Sequence, residues 1–311
     1  HGQAPRRYGH FWDYFQLQKA LRDFAPDVIY QRVGCAYTGI SAHYAKRSGT
    51  PMIWHLASAS DCRKPPPARI LLSRPHAFIE TRLAKRGVVQ ADIIVAQSQE
   101  QIRVLQENFG RSADRLIRNF HRVPQSVDKR FDRFTVLWIG NFKRVKRPDL
   151  FVEIASQLGK CSGIDFVMIG RGYQSESVQH RFAQVLKRTT NLKYLGALPQ
   201  DEVNRWLETS HLLVNTSKSE GFSNTFIQAW MRSVPVLTLG VNPDDLLKDS
   251  FLGSSHESTK EVANTVRGLA ANFDILNDMG KKCREYAVER YSMKNAAELA
   301  NLIMQAAGDT R

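Results

Sequence analysis

The chain has 311 residues, 42% of them apolar and 24% charged, with 19 Gly and 12 Pro; these proportions exclude collagenous, low-complexity and wholly disordered chains, and the length suits two domains of roughly 150 residues. Its 44 Lys and Arg against 30 Asp and Glu leave a net charge of +14, which points to an anionic partner: nucleic acid, acidic membrane lipid or a phosphate-bearing small molecule. No apolar run approaches the ~18 to 20 residues that span a bilayer, and Cys35, Cys62, Cys161 and Cys283 form no C-x-x-C pair, which fits a reducing compartment better than a disulfide or zinc scaffold.

In chain order, a polar opening and the helical pattern FWDYFQLQKALRDF precede the first convincing strand. A doubly wound domain normally starts with a strand and a glycine-rich turn, so the first domain reads as short and N-terminally incomplete. Apolar runs then predict strands at Asp27 to Tyr30, Met52 to His55, Asp92 to Ala96, Val136 to Gly140, Asp165 to Gly170, Leu192 to Gly196, Leu212 to Asn215 and Pro235 to Leu239. Runs this apolar suit parallel strands buried on both faces. Helical patterns separate them, the clearest lying behind Pro148, so the expected class is a doubly wound α/β fold.

Residues Cys62 to Pro75 hold three consecutive prolines and four basic residues, either a disordered loop or a basic recognition loop. The polar stretch 120–134 lacks an apolar period and marks the domain boundary. The expected division is 1–125, 126–290, and a C-terminal helix in 291–311 that packs back on the first domain. No basic stripe interleaved with aromatics and no nucleic-acid module is present, so no specific nucleic-acid partner is expected.

Three strand-to-loop junctions favour an anion. In TVLWIGNFKRVKRPDL, Gly140 turns the chain after a strand, and Asn141, Lys143, Arg144, Lys146 and Arg147 lead to a helix; the end of a parallel strand followed by a helix N-terminus is where phosphates bind. In the second, Gly170, Arg171 and Gly172 let a ligand approach the main chain. In the third, SKSEGFSNTFIQAW, Ser223 or Asn224 is the expected cap of a helix, and Glu220 stands just before it, where a carboxylate can accept bonds from sugar hydroxyls.

Residues from about Thr135 to Leu247 resemble the nucleotide-sugar-binding half of retaining glycosyltransferase family 4, whose GT-B fold sets two Rossmann-like domains across a cleft. The resemblance rests on the basic junction ending in Lys146, the strand with GRG, NLKYLGALPQDEV and EGFSNTFIQAW followed by VPVL. In the first half PDVIYQR, TPMIWHL, ADIIVAQS and NFHRVP resemble the acceptor domain and its exit. The resemblance implies a UDP- or GDP-linked sugar as co-substrate, a metal-independent reaction without cofactor, and a sugar, lipid-linked or other hydroxyl acceptor. Lys146 would neutralise the diphosphate, main-chain groups of Gly170 to Tyr173 and Leu195 would hold the base, and Glu220 would grip the sugar. Gly221, Phe222, Ser223, Asn224 and Thr225 would help hold sugar and phosphate, Gln228 would bind ribose, and His55 would face the sugar.

Asn141 stands where the family usually has Arg, leaving Lys143 or Arg144 to supply the second cation, and Gln228 stands where it usually has Glu. The resemblance implies a cytoplasmic protein of polysaccharide or glycoconjugate synthesis, peripheral at the inner face of the membrane. The alternative is a catalytically impaired nucleotide- or sugar-binding protein of the same fold.

Overall fold

The computed structural model describes residues 9–62, 75–125, 127, 129, 133–159, 163–220, 222–248 and 251–308. Residues 63–74 of the proline-rich stretch, and Gly221 of the proposed site, fall outside them. The chain forms two compact units, one made of residues up to 119 together with 294 onwards, the other of 120–293.

The first unit runs α1 (Gly9–Phe24), β1 (Ile29–Arg32), α2 (Ala36–Ser48), β2 (Met52–His55), α3 (Pro75–Gln90), β3 (Ile93–Ala96), α4 (Gln99–Phe109) and β4 (Arg115–Leu116), and takes in the terminal helix α11 (Lys294–Gly308). Its strands pair in parallel in the order β1-β2-β3-β4. The strand β2 is buried along its whole length, as expected of MIWH in the middle of a covered sheet. Two acidic side chains carry the ladder past the strand ends: Asp92 accepts from the Met52 N–H and Asp114 from the Ile94 N–H. Helices α2 and α3 cross almost backbone to backbone, because a Cβ on Gly39 would lie 2.0 Å from the Leu83 carbonyl oxygen and one on Gly87 would lie 2.6 Å from Thr38. Asn295 of α11 donates to the carbonyls of Arg118 and Asn119.

The second unit runs β5 (Phe134–Ile139), α5 (Pro148–Gln157), β6 (Ile164–Ile169), α6 (Glu176–Arg188), β7 (Leu192–Tyr194), α7 (Gln200–Thr209), β8 (Leu212–Asn215), α8 (Asn224–Trp230), β9 (Val236–Leu239), β10 (Gly253–His256), α9 (Thr259–Ala270) and α10 (Phe273–Tyr291). All six strands are parallel, in the order β7-β6-β5-β8-β9-β10. Numbered from the first strand of the unit, this is 3-2-1-4-5-6, the Rossmann order, whose direction reverses between β5 and β8.

Alternation along the strands builds a core on each face. Val136, Trp138, Phe166 and Met168 pack with Phe151 of α5 and Val262 of α9. Leu137, Val167 and Ile169 pack with Phe226 and Trp230 of α8 and with Cys283 and Tyr291 of α10. Each large side chain fully buried in this way contributes roughly 1.5–3 kcal/mol.

Two strands escape the apolar-run reading. β4 is two residues long, and β10, the sequence GSSH, is polar because it forms the sheet edge. Among the described residues no helix is long and apolar enough to cross a membrane.

Candidate active site

The chain leaves β5 at Gly140, beside the point where the strand order reverses. The Gly140 N–H donates to the Ile169 carbonyl and the Phe142 N–H to the Arg171 carbonyl. Asn141 directs its side-chain oxygen back along the loop and accepts the Arg171 N–H at 3.1 Å. The basic junction and the GRG junction are therefore one bonded unit. Gly170 makes this possible: at φ 147 its α-carbon faces Gly140, and a Cβ there would come within 1.8 Å of the Gly140 carbonyl oxygen.

Aromatic rings support the unit from below. Phe142 lies 5.3 Å from Tyr173, 5.0 Å from Phe182 and 5.0 Å from Tyr194, centroid to centroid. The Tyr194 hydroxyl donates to the Gly170 carbonyl at 3.0 Å. The main-chain N–H groups of Gly170 and Leu195 are engaged in the fold itself, on the carbonyls of Gly196 and Met168.

The turn at 144–146 is then clamped to the end of β8. Arg147 adopts φ 45 before Pro148 starts α5, and its guanidinium donates to the carbonyls of Thr216 at 2.6 Å, Ser217 at 3.1 Å and Leu239 at 2.7 Å. The Thr216 hydroxyl answers by donating to the carbonyls of Lys146 and Arg147, while the Trp138 indole N–H donates to its oxygen. Lys218 N–H closes the seam on the Val145 carbonyl.

With both loops so held, the Lys146 ammonium meets both carboxylate oxygens of Glu220 at 2.7 Å. The two side chains keep 26% and 13% exposure, enough to be reached from solvent. Lys143 and Arg144 stay exposed on the same turn. A carboxylate and an ammonium fixed at the carboxyl ends of β5 and β8 can meet a hydroxyl-rich group and a phosphate side by side.

Beyond Glu220, Phe222 stacks on Tyr291 at 5.2 Å. Ser223 occupies the N-cap of α8, yet its side chain makes no cap bond, and the Asn224 carboxamide oxygen bonds His121 Nε2 at 3.2 Å instead; the side-chain capping expected from the sequence is absent. Burial holds the His121 imidazolium down, the Asn224 bond opposes this and the Arg232 charge adds to it. Thr225 and Gln228 are half-buried on α8, and the Gln228 carbonyl accepts from Arg232.

In the first unit His55 ends β2 and is buried, with Nδ1 2.7 Å from the Tyr30 hydroxyl and Nε2 3.3 Å from the Gln97 amide. Burial, then the Arg32 charge, pushes its pKa down to about 4, so the ring is neutral near pH 7.

In the sequence Lys146 and Glu220 belong to separate junctions, and Arg147 reads only as one more cation. The signal for its clamp was its place immediately before an N1 proline, which makes it the N-cap. His121 carried no signal beyond being a histidine in the linker.

A parallel sheet of Rossmann order with this pair at its reversal defines a doubly wound α/β unit that carries an ion pair at its switch point. Residues 133–272, most of that unit, match the family described as Glycosyl transferases group 1. Across most of the chain the fold is similar to sucrose-phosphate synthase from Thermosynechococcus elongatus, with TM-score 0.74 at 14% identity, covering 97% of this chain and 80% of that one. It is also similar to Anabaena HepE in complex with UDP, with TM-score 0.73 at 14% identity, covering 94% and 82%. The likeness at these identities is one of fold, and the fold is GT-B: α/β, with two Rossmann-like parallel-sheet units in one chain.

In sequence, the chain is 28% identical over 196 residues to the poly(ribitol-phosphate) alpha-N-acetylglucosaminyltransferase of Staphylococcus aureus (strain COL), covering 58% of this chain and 37% of that protein. It is 25% identical over 242 residues to the D-inositol 3-phosphate glycosyltransferase of Nocardia farcinica (strain IFM 10152), covering 69% and 52%. The chain thus spans between 37% and 52% of the length of these curated relatives.

Proposed function

We propose that the protein is a retaining glycosyltransferase that moves a sugar from a nucleoside diphosphate sugar to an acceptor hydroxyl, with side-chain cations rather than a metal meeting the diphosphate charge. The observation that carries this reading is the Lys146–Glu220 pair at the reversal between β5 and β8. UDP is the first nucleotide to consider, since HepE is described in complex with it. The two curated relatives bear names with a phosphorylated polyol, and together with the charge of +14 these make that the first acceptor class to test.

In this reading the bond between the anomeric carbon and the diphosphate breaks as the acceptor oxygen bonds the same carbon on the same face. The acceptor proton passes to the departing phosphate, and the nucleoside diphosphate leaves. Negative charge grows on the leaving group, where Lys146, helped by Lys143 and Arg144, stabilises it more than in the ground state. Glu220 accepts from sugar hydroxyls and fixes the ring, and the loop held by Asn141, Gly170 and Arg171 receives the nucleoside, whose ribose lies toward Gln228.

Calorimetric titration with UDP, GDP and ADP, with NAD as an off-class control, tests the reading. Selective binding of one diphosphate that is lost in Lys146→Ala supports it, and absence of binding to all three by the folded chain overturns it.

A further inference from the structure

We propose that His121 is a positioning residue for sugar recognition: through the Asn224 carboxamide it fixes the loop that carries Glu220. The contact itself stands on the second unit alone, while its effect on the donor rests on the sugar-transfer reading.

Residues 220, 222 and 224 are each held by a different element of that unit. Glu220 meets Lys146, on the turn after β5, at 2.7 Å. Phe222 stacks on Tyr291, at the end of α10, at 5.2 Å. The Asn224 oxygen lies 3.2 Å from His121 Nε2, across 103 positions of sequence. The far end of α8 is fixed separately, where the Trp230 indole N–H donates to the Leu252 carbonyl at 2.9 Å. The loop before α8 is thus pinned at alternate residues from outside.

Outside support is needed because the local device is missing. Ser223 holds the N-cap position and makes no cap bond, although such a bond is worth about 1 kcal/mol to a helix start. An Asn beside it would ordinarily fold its carboxamide onto nearby main chain. Here His121 draws that carboxamide away, so the course of the loop depends on His121 and Tyr291 instead of on a cap.

His121 has a firm base from which to do this. Its main-chain N–H donates to the Tyr291 carbonyl at 2.8 Å. Three residues further on, the Pro124 carbonyl accepts from Arg284 of α10 at 2.7 Å, and the same guanidinium donates to the Met231 carbonyl just past α8 at 2.5 Å. Tyr291 therefore supports the loop twice, by its ring under Phe222 and by its carbonyl under His121. A carboxamide oxygen can only accept, so His121 Nε2 carries the proton. Because burial lowers the pKa of the ring, opposed by the Asn224 bond and aided by the Arg232 charge, it makes this bond in its neutral form near pH 7.

The experiment compares the wild-type chain with His121→Phe, His121→Gln, Asn224→Ala and the double variant His121→Phe, Asn224→Ala. Calorimetry measures binding of UDP, UDP-glucose and UDP-N-acetylglucosamine, and deuterium exchange follows the peptide covering residues 220–226. In His121→Phe, affinity for the tighter of the two nucleotide sugars is expected to fall roughly fivefold, the equivalent of one hydrogen bond. UDP affinity is expected to change by less than about twofold, because the loop bears on the sugar more than on the diphosphate that Lys146 meets. Exchange in the peptide is expected to rise. Gln can donate from the same place as Nε2, so His121→Gln is expected to restore both readouts. Adding His121→Phe to Asn224→Ala is expected to change little, since the two side chains share one bond.

An equal loss for UDP and the nucleotide sugar, unchanged exchange, failure of Gln to rescue, or additive losses in the double variant overturns the proposal. So does a lower melting temperature with the binding ratio intact, which marks a contact that serves the fold alone. Should His121→Phe not fold, Asn224→Ala removes the same bond from the other side and is read by the same measurements. If the wild-type chain binds none of the three ligands, the sugar-transfer reading falls, and exchange in the variants still decides whether His121 holds the loop.

Discussion

Lys146 and Glu220 stand 74 positions apart in the chain, yet the ammonium of one lies 2.7 Å from both carboxylate oxygens of the other. The contact follows from the strand order: β5 and β8 are neighbours in the sheet, and their carboxyl ends deliver the two loops to the same place. An ion pair held by two clamped loops is already oriented before a ligand arrives, which reduces the reorganisation left for the reaction.

Lys146→Ala and Glu220→Ala are each expected to lower turnover with the preferred donor roughly tenfold or more. Because the two groups touch, the double variant is expected to cost less than the product of the two single losses. Steady-state rates for the four proteins check this. Near-wild-type rates in both single variants remove the pair from the mechanism.

Gly170→Ala is expected to destabilise the second unit by about 2–4 kcal/mol, because the added methyl would meet the Gly140 carbonyl at 1.8 Å in a backbone region that Ala avoids. The loop joined through Asn141 and Arg171 must shift with it, so diphosphate affinity is expected to fall as well. Urea unfolding and calorimetry measure the two effects, and a wild-type midpoint would contradict the close approach.

Much of this was legible in the residues, and what was missed has physical causes. β5, β6, β8 and β9 announce themselves as apolar runs because both faces of each are covered. β10 does not, since an edge strand with the sequence GSSH needs no such run, although Gly253, at φ 136 against the Val236 carbonyl, marks the close approach. The basic junction and Glu220 read as candidates from the residues, and the family resemblance singles out Lys146, but their pairing depends on sheet order, which no local pattern contains. Asn141 stands where a cation was expected and proves to be a hydrogen-bond acceptor that ties two loops. The Ser223 cap was legible as a position but not as a bond.

Arg147→Ala removes three hydrogen bonds from a guanidinium to carbonyls at the ends of β8 and β9. The expected loss of stability is about 3 kcal/mol, mostly from carbonyls left without their donor. Trp138, bonded to Thr216 in the same seam, gives a fluorescence readout. Since Arg147 holds the turn that carries Lys146, diphosphate affinity is expected to drop too. Unchanged affinity in a destabilised variant would mean that the turn keeps its shape without the clamp.

His55 makes stability depend on acid pH. Burial, reinforced by Arg32, lowers its folded-state pKa from 6.5 to about 4. The Gln97 amide donates to Nε2, so the ring proton sits on Nδ1 and meets the Tyr30 oxygen. Between about pH 6.5 and 4 the unfolded chain binds a proton at this position and the folded one does not. Stability is therefore fully present above pH 6.5 and is lost as the pH falls toward 4, by about 3 kcal/mol from this residue. His55→Gln keeps polar atoms in the site and cannot titrate, so its stability is expected to fall less steeply than that of the wild type across this window. Urea midpoints collected over pH 4 to 7.5 for both proteins decide the point, and parallel curves would mean that His55 is protonated in the fold and that the neutral, doubly bonded ring is not the native state.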